Sequence, residues 1–257
     1  MKTGLKLPER THKPRNTGMT IIIDNGLPTA LFIDFIQSHH LLVDTIKFGW
    51  GTALVTEEIE KKIAILKKFQ INFFFGGTLF EKFLQQDNLS GFYALCKRYH
   101  CEFIEISNGT IKIDNSEKCR YIKEFSKEFK VFSEVGYKDP KRSEEMSSTE
   151  WCTYIEQDIE AGAYKVITES RESGKGGICH SNGEIRTELI PEIISSSINV
   201  ENIIFEAPKK VLQIYFIKQF GTNVNLANIA PQDIVSLETL RLGLRSDTFY
   251  ISNKDIV

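Results

Sequence analysis

Cysteine is scarce and shows no pairing pattern. Five residues, at positions 96, 101, 119, 152 and 179, make an odd set with no CxxC spacing. That argues against a disulfide framework and a structural zinc site, and a reducing cytoplasm fits best. The five histidines form no HExxH pattern; His39 and His40 read as a helix end, where cationic side chains suit the dipole. No apolar run approaches the ~18 residues that would span a bilayer. The first 18 residues carry Lys2, Lys6, Arg10, Lys13 and Arg15 without an apolar stretch, so they read as a solvated arm and not a secretory signal. A net charge of −2 leaves no electrostatic footprint for nucleic acid. There is no linker or composition break, and residues 19–257 are taken as one domain.

What the chain does have is repetition. Its 257 residues, 41% hydrophobic and 26% charged, match the size of a single (β/α)8 barrel. Short apolar runs at 19–24, 44–49, 71–76, 101–107, 130–136, 165–170, 202–207 and 222–228 are rich in β-branched and aromatic residues with little polar alternation. Strands of that kind are covered on both faces, as in a parallel sheet. Amphipathic stretches at 56–69, 116–129, 149–161, 184–195, 208–220 and 231–242 lie between them, and Pro231 suits a first helical position. Such alternation predicts a TIM barrel. A doubly wound open sheet is the competing topology, but it would usually show a Gly-rich turn after its first strand.

Polar residues recur where these runs end. Asp24, Glu105, Glu134, Glu169 and Glu206 are carboxylates; Lys47, Lys138 and Arg171 are cations. In a barrel, strand C-termini converge on one pocket. An excess of carboxylates over cations, without Cys or His ligands, favours a hard divalent ion such as Mg²⁺. Buried ion pairs closing the barrel top are the alternative. Gly49-Trp50-Gly51 and Gly76-Gly77-Thr78 would let backbone approach a ligand, or simply make tight turns. The loop at 173–177, with Lys175, could cradle a phosphate or act as a lid. Asn223, Asn225 and Asn228 precede a helix start near Pro231, a sector where barrels often bind phosphate. Arg241 and Arg245 suit a salt-bridged helix end or a subunit contact.

The segments KFGWGT (47–52), GGTLFE (76–81), EIS-N-GT (105–110), EVG-YK (134–138), ESRESGKG (169–176), FEAPKK (205–210), NVNLANI (223–229) and LETLRLGLRSDTF (237–249) together resemble the phosphosulfolactate synthase family. They span nearly the whole chain. The resemblance implies a (β/α)8 homotrimer that uses Mg²⁺ to add sulfite to phosphoenolpyruvate, giving (R)-2-O-phospho-3-sulfolactate. In the family that product feeds coenzyme M synthesis in methanogens and sulfolactate formation in some bacteria. The family's proposed proton donor falls on Lys138, expected here to have a lowered pKa from burial beside other cations. Glu105 and Glu134 are the first choices for metal ligands, followed by Glu169, Glu206 and Asp24. Lys47, Arg171, Lys175, Asn223 and Asn225 are the substrate-binding candidates. The family commonly reads D-K-G after the first strand, and this chain has Asp24-Asn25-Gly26. Two other classes remain open: a Schiff-base aldolase using Lys47 or Lys138, and a stress-related homologue without catalysis, as related plant proteins suggest.

Overall fold

The computed structural model describes residues 4–171, 176–180 and 182–251. Eight strands run in chain order: β1 Thr20–Asp24, β2 Thr45–Phe48, β3 Asn72–Phe75, β4 Phe103–Ile106, β5 Lys130–Val135, β6 Lys165–Thr168, β7 Ile203–Glu206 and β8 Leu226–Ile229. The spatial order is β3-β2-β1-β8-β7-β6-β5-β4, and the ladders, such as β1 with β2 and β4 with β5, are parallel. Strands β3 and β4 lie side by side and bring the sheet round into a nearly closed barrel. The fold is the expected (β/α)8 barrel.

Helices cover its outside: α1 Thr29–His39, α2 Thr52–Val55, α3 Ile59–Lys68, α4 Gly77–Gln85, α5 Leu89–Tyr99, α6 Asn115–Phe125, α7 Pro140–Glu145, α8 Ser148–Glu160, α9 Leu189–Ser195, α10 Lys210–Phe220 and α11 Ile234–Arg241. Their ends follow local chemistry. Ser147 and Glu150 form a capping box that starts α8, satisfying two backbone N–H groups that would otherwise lack partners. Pro231 opens a 3₁₀ turn that leads into α11. The helix end read at His39 and His40 is the C-terminus of α1, whereas α2, α4, α5 and α7 fall outside the amphipathic stretches read from the sequence. Among the described residues no helix is long and apolar enough to cross a membrane.

Side chains alternate across each strand, which gives the barrel two cores. Ile22, Ile46, Ile104, Val131, Val166 and Phe205 face the helices. Ile21, Phe74, Phe103, Phe132, Ile167, Ile204 and Ala227 fill the lumen, with Met19 beneath. Phe132 stacks on Phe103 at 4.9 Å and meets Phe74 edge-on at 5.1 Å. Each such buried side chain contributes roughly 1.5–3 kcal/mol, so the lower barrel is a packed core and not a channel.

The N-terminal mouth is closed by charge. Residues 4–18 are a tethered arm, not a freely solvated one. Arg10 binds Glu238 at 3.1 Å and the Gly18 carbonyl at 2.9 Å; Lys13 donates to the His40 carbonyl and Arg15 to Asp44. Arg241, fully buried, donates to the carbonyls of Thr222, Val224 and Met19. Buried in this way, Arg241 cannot form a subunit contact, whereas Leu244 nearby is exposed. Arg245 donates to the Ser236 hydroxyl.

Candidate active site

Alternation inside the barrel also builds the site. Two residues beyond the lumen layer, toward the strand C-termini, come Ile23, Gly76, Glu105, Glu134, Glu169 and Glu206, with Lys47 joining from β2 in register with Ile23. A cavity of about 380 Å³ opens above them. It is lined by Lys47, Glu134, Lys138, Glu169, Arg171, Glu206 and Asn228, with Trp50, Thr78, Thr110 and Ser170 around its wall. Trp50 is 41% exposed at its edge.

Two ammonium groups span the carboxylates. Lys47 Nζ lies 2.9 Å from Glu105, 3.1 Å from Glu206 and 3.5 Å from Glu134. Lys138 Nζ pairs with Glu134 and lies 2.8 Å from Glu169. Burial works against the Lys47 ammonium, but Glu105, Glu206 and Glu134 outweigh it and raise its pKa. Lys138 shows the same contest: burial lowers, Glu134 and Glu169 raise, and the carboxylates win by a wide margin. The expected lowered pKa of Lys138 is therefore reversed, because its immediate neighbours are anions.

The carboxylates divide. Burial works against ionised Glu134, yet Lys138 and Lys47 hold it below the ordinary range. Burial pushes Glu105 well above that range, with Lys47 opposing and Glu134 reinforcing. Burial also raises Glu206 against the pull of Lys47, and it pushes Glu169 up to about 8 despite Lys138. Four carboxyl groups thus share two lysines, and burial favours the neutral form of Glu105, Glu169 and Glu206 while the lysines hold Glu134 ionised.

The backbone fixes these positions. Lys118, on α6, donates to the Glu134 carbonyl at 3.0 Å and pairs with buried Asp158 at 2.7 Å. The Ser170 N–H donates to Glu206 at 2.8 Å. Gly136 has φ +122°, and a Cβ there would meet Trp151 and the Glu169 Cβ at 2.7 Å. Only glycine lets β5 turn toward Lys138 at that point.

Not every candidate comes to the cavity. Glu105 lies beneath it, reaching Lys47. Asp24 is one residue out of phase with Ile23 and faces the helices. Its carboxylate accepts from the Gly26 and Leu27 N–H groups and pairs with Lys62, on α3, at 2.6 Å. It cannot join a metal site in the bowl. Asn223 and Asn225 precede β8, which starts only at Leu226, so they sit at the opposite end of the barrel. Asn223 accepts from Arg10 and from the Thr11 N–H, and Asn225 from the Met19 N–H at 3.1 Å. Neither can bind substrate in the cavity. Asn228, with φ +56°, does line it. Lys175 lies outside the described residues. Asn25 packs against Gly49 and borders a separate groove. Thr110 and Ser170 were missed; Ser170 follows a ring carboxylate directly, which is the signal that could have found it.

The donor set suits a hard cation. Glu105 Oε2 is buried with no donor to meet it. Among the described residues no three His, Cys, Asp or Glu side chains form a ready metal-binding group. Mg²⁺, however, is usually held by one or two carboxylates with water and substrate phosphate. Glu134 lines the cavity and Glu105 has this unpartnered oxygen, so these are the two residues that would hold a divalent ion.

Residues 8–247 match the model of the family described as (2R)-phospho-3-sulfolactate synthase (ComA). The chain belongs to this family. The phosphosulfolactate synthase of Bacillus subtilis (strain 168) is 55% identical over 248 residues, spanning 96% of this chain and 98% of that protein. The phosphosulfolactate synthase of Methanothermobacter thermautotrophicus is 39% identical over 245 residues, 94% of this chain and 95% of that one. These synthases match the chain over 96% and 94% of its length, and the chain is an enzyme. The crystal structure of a 3-hexulose-6-phosphate synthase superposes with a TM-score of 0.56 at 14% identity, covering 87% of this chain and 99% of that one. At that identity the likeness bears on the barrel alone.

Proposed function

We propose that this chain is a phosphosulfolactate synthase, a lyase that joins sulfite to phosphoenolpyruvate with Mg²⁺ to give (R)-2-O-phospho-3-sulfolactate, working in the cytoplasm as a homotrimer. The observation that carries this reading is the cavity itself. It gathers Lys47, Lys138 and Arg171 beside the start of α4 at Gly77 and Thr78, and cations and a helix N-terminus attract anions. Both substrates are anions, and the phosphate and carboxylate of phosphoenolpyruvate need separate partners.

In the proposed reaction the sulfite sulfur attacks the methylene carbon, forming the C–S bond. The π electrons move through the central carbon into the carboxylate, which becomes a dianion. Lys138 then gives its proton to the central carbon from one face, which sets the stereochemistry. Its raised pKa keeps it loaded at neutral pH, and the strongly basic carbon supplies the driving force for transfer. Lys47 and Arg171 hold substrate anions. Bound by Glu105 and Glu134, Mg²⁺ would supply Lewis-acid stabilisation of the developing charge. A Schiff-base aldolase needs a neutral amine, and the raised pKa values of both lysines disfavour it.

The test is to incubate the protein with phosphoenolpyruvate and sulfite in Mg²⁺ buffer and follow phosphorus NMR. Joint consumption with one new phosphate ester is expected. Persistence of both substrates would overturn the proposal.

A further inference from the structure

We propose that Glu81 is a positioning residue that seats Lys138 by clamping the loop after β4; its role in turnover rests on the reaction proposed above. Glu81 lies one turn into α4, whose first residues line the cavity, but Glu81 itself does not. It is 1% exposed. Its hydrogen-bond partners are uncharged donors: the Ser107 hydroxyl on one oxygen, and the N–H groups of Thr110 at 2.8 Å and Ile111 at 2.7 Å on the other. A buried carboxylate is costly without hydrogen bonds, and charge-assisted bonds to backbone N–H groups are strong. All three of these bonds fall on the segment 107–111.

That segment is the wall beside the proposed proton donor. The Gly109 carbonyl accepts the Lys138 N–H at 3.1 Å. A Cβ on Gly109 would stand 3.2 Å from Lys138 Nζ and 3.4 Å from Glu134 Oε1, so the ammonium rests against bare backbone. Thr110 lines the cavity next to it. The chain of contact runs from Glu81 through Thr110 and Gly109 to Lys138. Helix α4 thereby ties the start of one cavity wall to the placement of the acid on another.

Glu81→Gln keeps the shape but turns an NH₂ toward the N–H donors or gives up an oxygen. By analogy with supports around metal ligands, kcat should fall roughly 10–100-fold, with KM for phosphoenolpyruvate little changed. In a Lys138→Ala background the same substitution should add no further loss, because its effect passes through Lys138. Gly109→Ala, which crowds Lys138 Nζ without touching Glu81, should give the same pattern. Full kcat in Glu81→Gln, or an equal loss with and without Lys138, would overturn the role. Hydrogen exchange at the Thr110 and Ile111 amides reads the clamp without any turnover. Faster exchange in folded Glu81→Gln is expected, and unchanged protection would overturn the clamp even if sulfite and phosphoenolpyruvate proved not to be the substrates.

Discussion

The Lys138 ammonium lies 2.8 Å from a carboxylate oxygen of Glu169, reaching from the loop after β5 to the end of β6. Lys138 stays charged, whereas Glu169, pushed up to about 8 by burial, is mostly neutral at pH 7. The pair therefore carries net positive charge below that value and loses it above.

A pH dependence follows from the sign. Ionising Glu169 adds a negative charge beside anionic substrates, so kcat/KM should fall as pH rises through about 8. The midpoint belongs to the coupled carboxylates and not to one residue alone. Glu169→Gln cannot ionise and should lack this fall. Substrate ionisation cancels in the ratio of the two enzymes, and a ratio independent of pH would contradict the assignment.

Lys138→Ala should leave the fold intact, since strand-end residues on this face of a barrel serve function more than packing. Loss of a general acid should reduce turnover by about 10²–10⁴-fold. Phosphoenolpyruvate binding should weaken much less, because Lys47 and Arg171 remain. Arginine at this position should not restore turnover, since its planar guanidinium fork cannot place a proton where the compact lysine ammonium does. Near-normal turnover in the alanine variant would place the proton donor elsewhere.

Chelation should abolish activity, and Mg²⁺ or Mn²⁺ should restore it. Glu105→Gln and Glu134→Gln should each raise the metal concentration needed for half-maximal activity. Calorimetric titration of Mg²⁺ gives a readout apart from turnover. Full activity in excess chelator would remove the metal from the mechanism.

Asp24→Asn tests the placement of that carboxylate. It strips the partner from Lys62, which is buried and lies 4.9 Å over the Phe32 ring. Breaking a buried pair on one side costs about 3–5 kcal/mol, so the denaturant midpoint should drop sharply while Mg²⁺ affinity holds. The opposite outcome, normal stability with lost metal binding, would return Asp24 to the bowl.

Much of the site was legible because strand alternation is a local property. Runs of apolar residues ending in a charge were enough to select Lys47, Glu105, Glu134, Glu169 and Glu206, and the eightfold repeat was enough to predict the barrel. The same period of two explains the errors. A shift of one position reverses the face of a strand residue, which is why Asp24, adjacent to inward-facing Ile23, turned out to serve a helix contact. Asn223 and Asn225 were misplaced because the last strand starts later than its composition suggests, putting them at the wrong end. Lys62 and Lys118 sit in amphipathic stretches where a charge is ordinary, and nothing in the spacing around them or around Glu81 marks a buried clamp. The ionisation of Lys138 was beyond the sequence for a related reason. Its direction is set by Glu134 and Glu169 on two strands outweighing burial, and such a balance exists only once the barrel has closed and brought those carboxylates within a few ångströms of one ammonium.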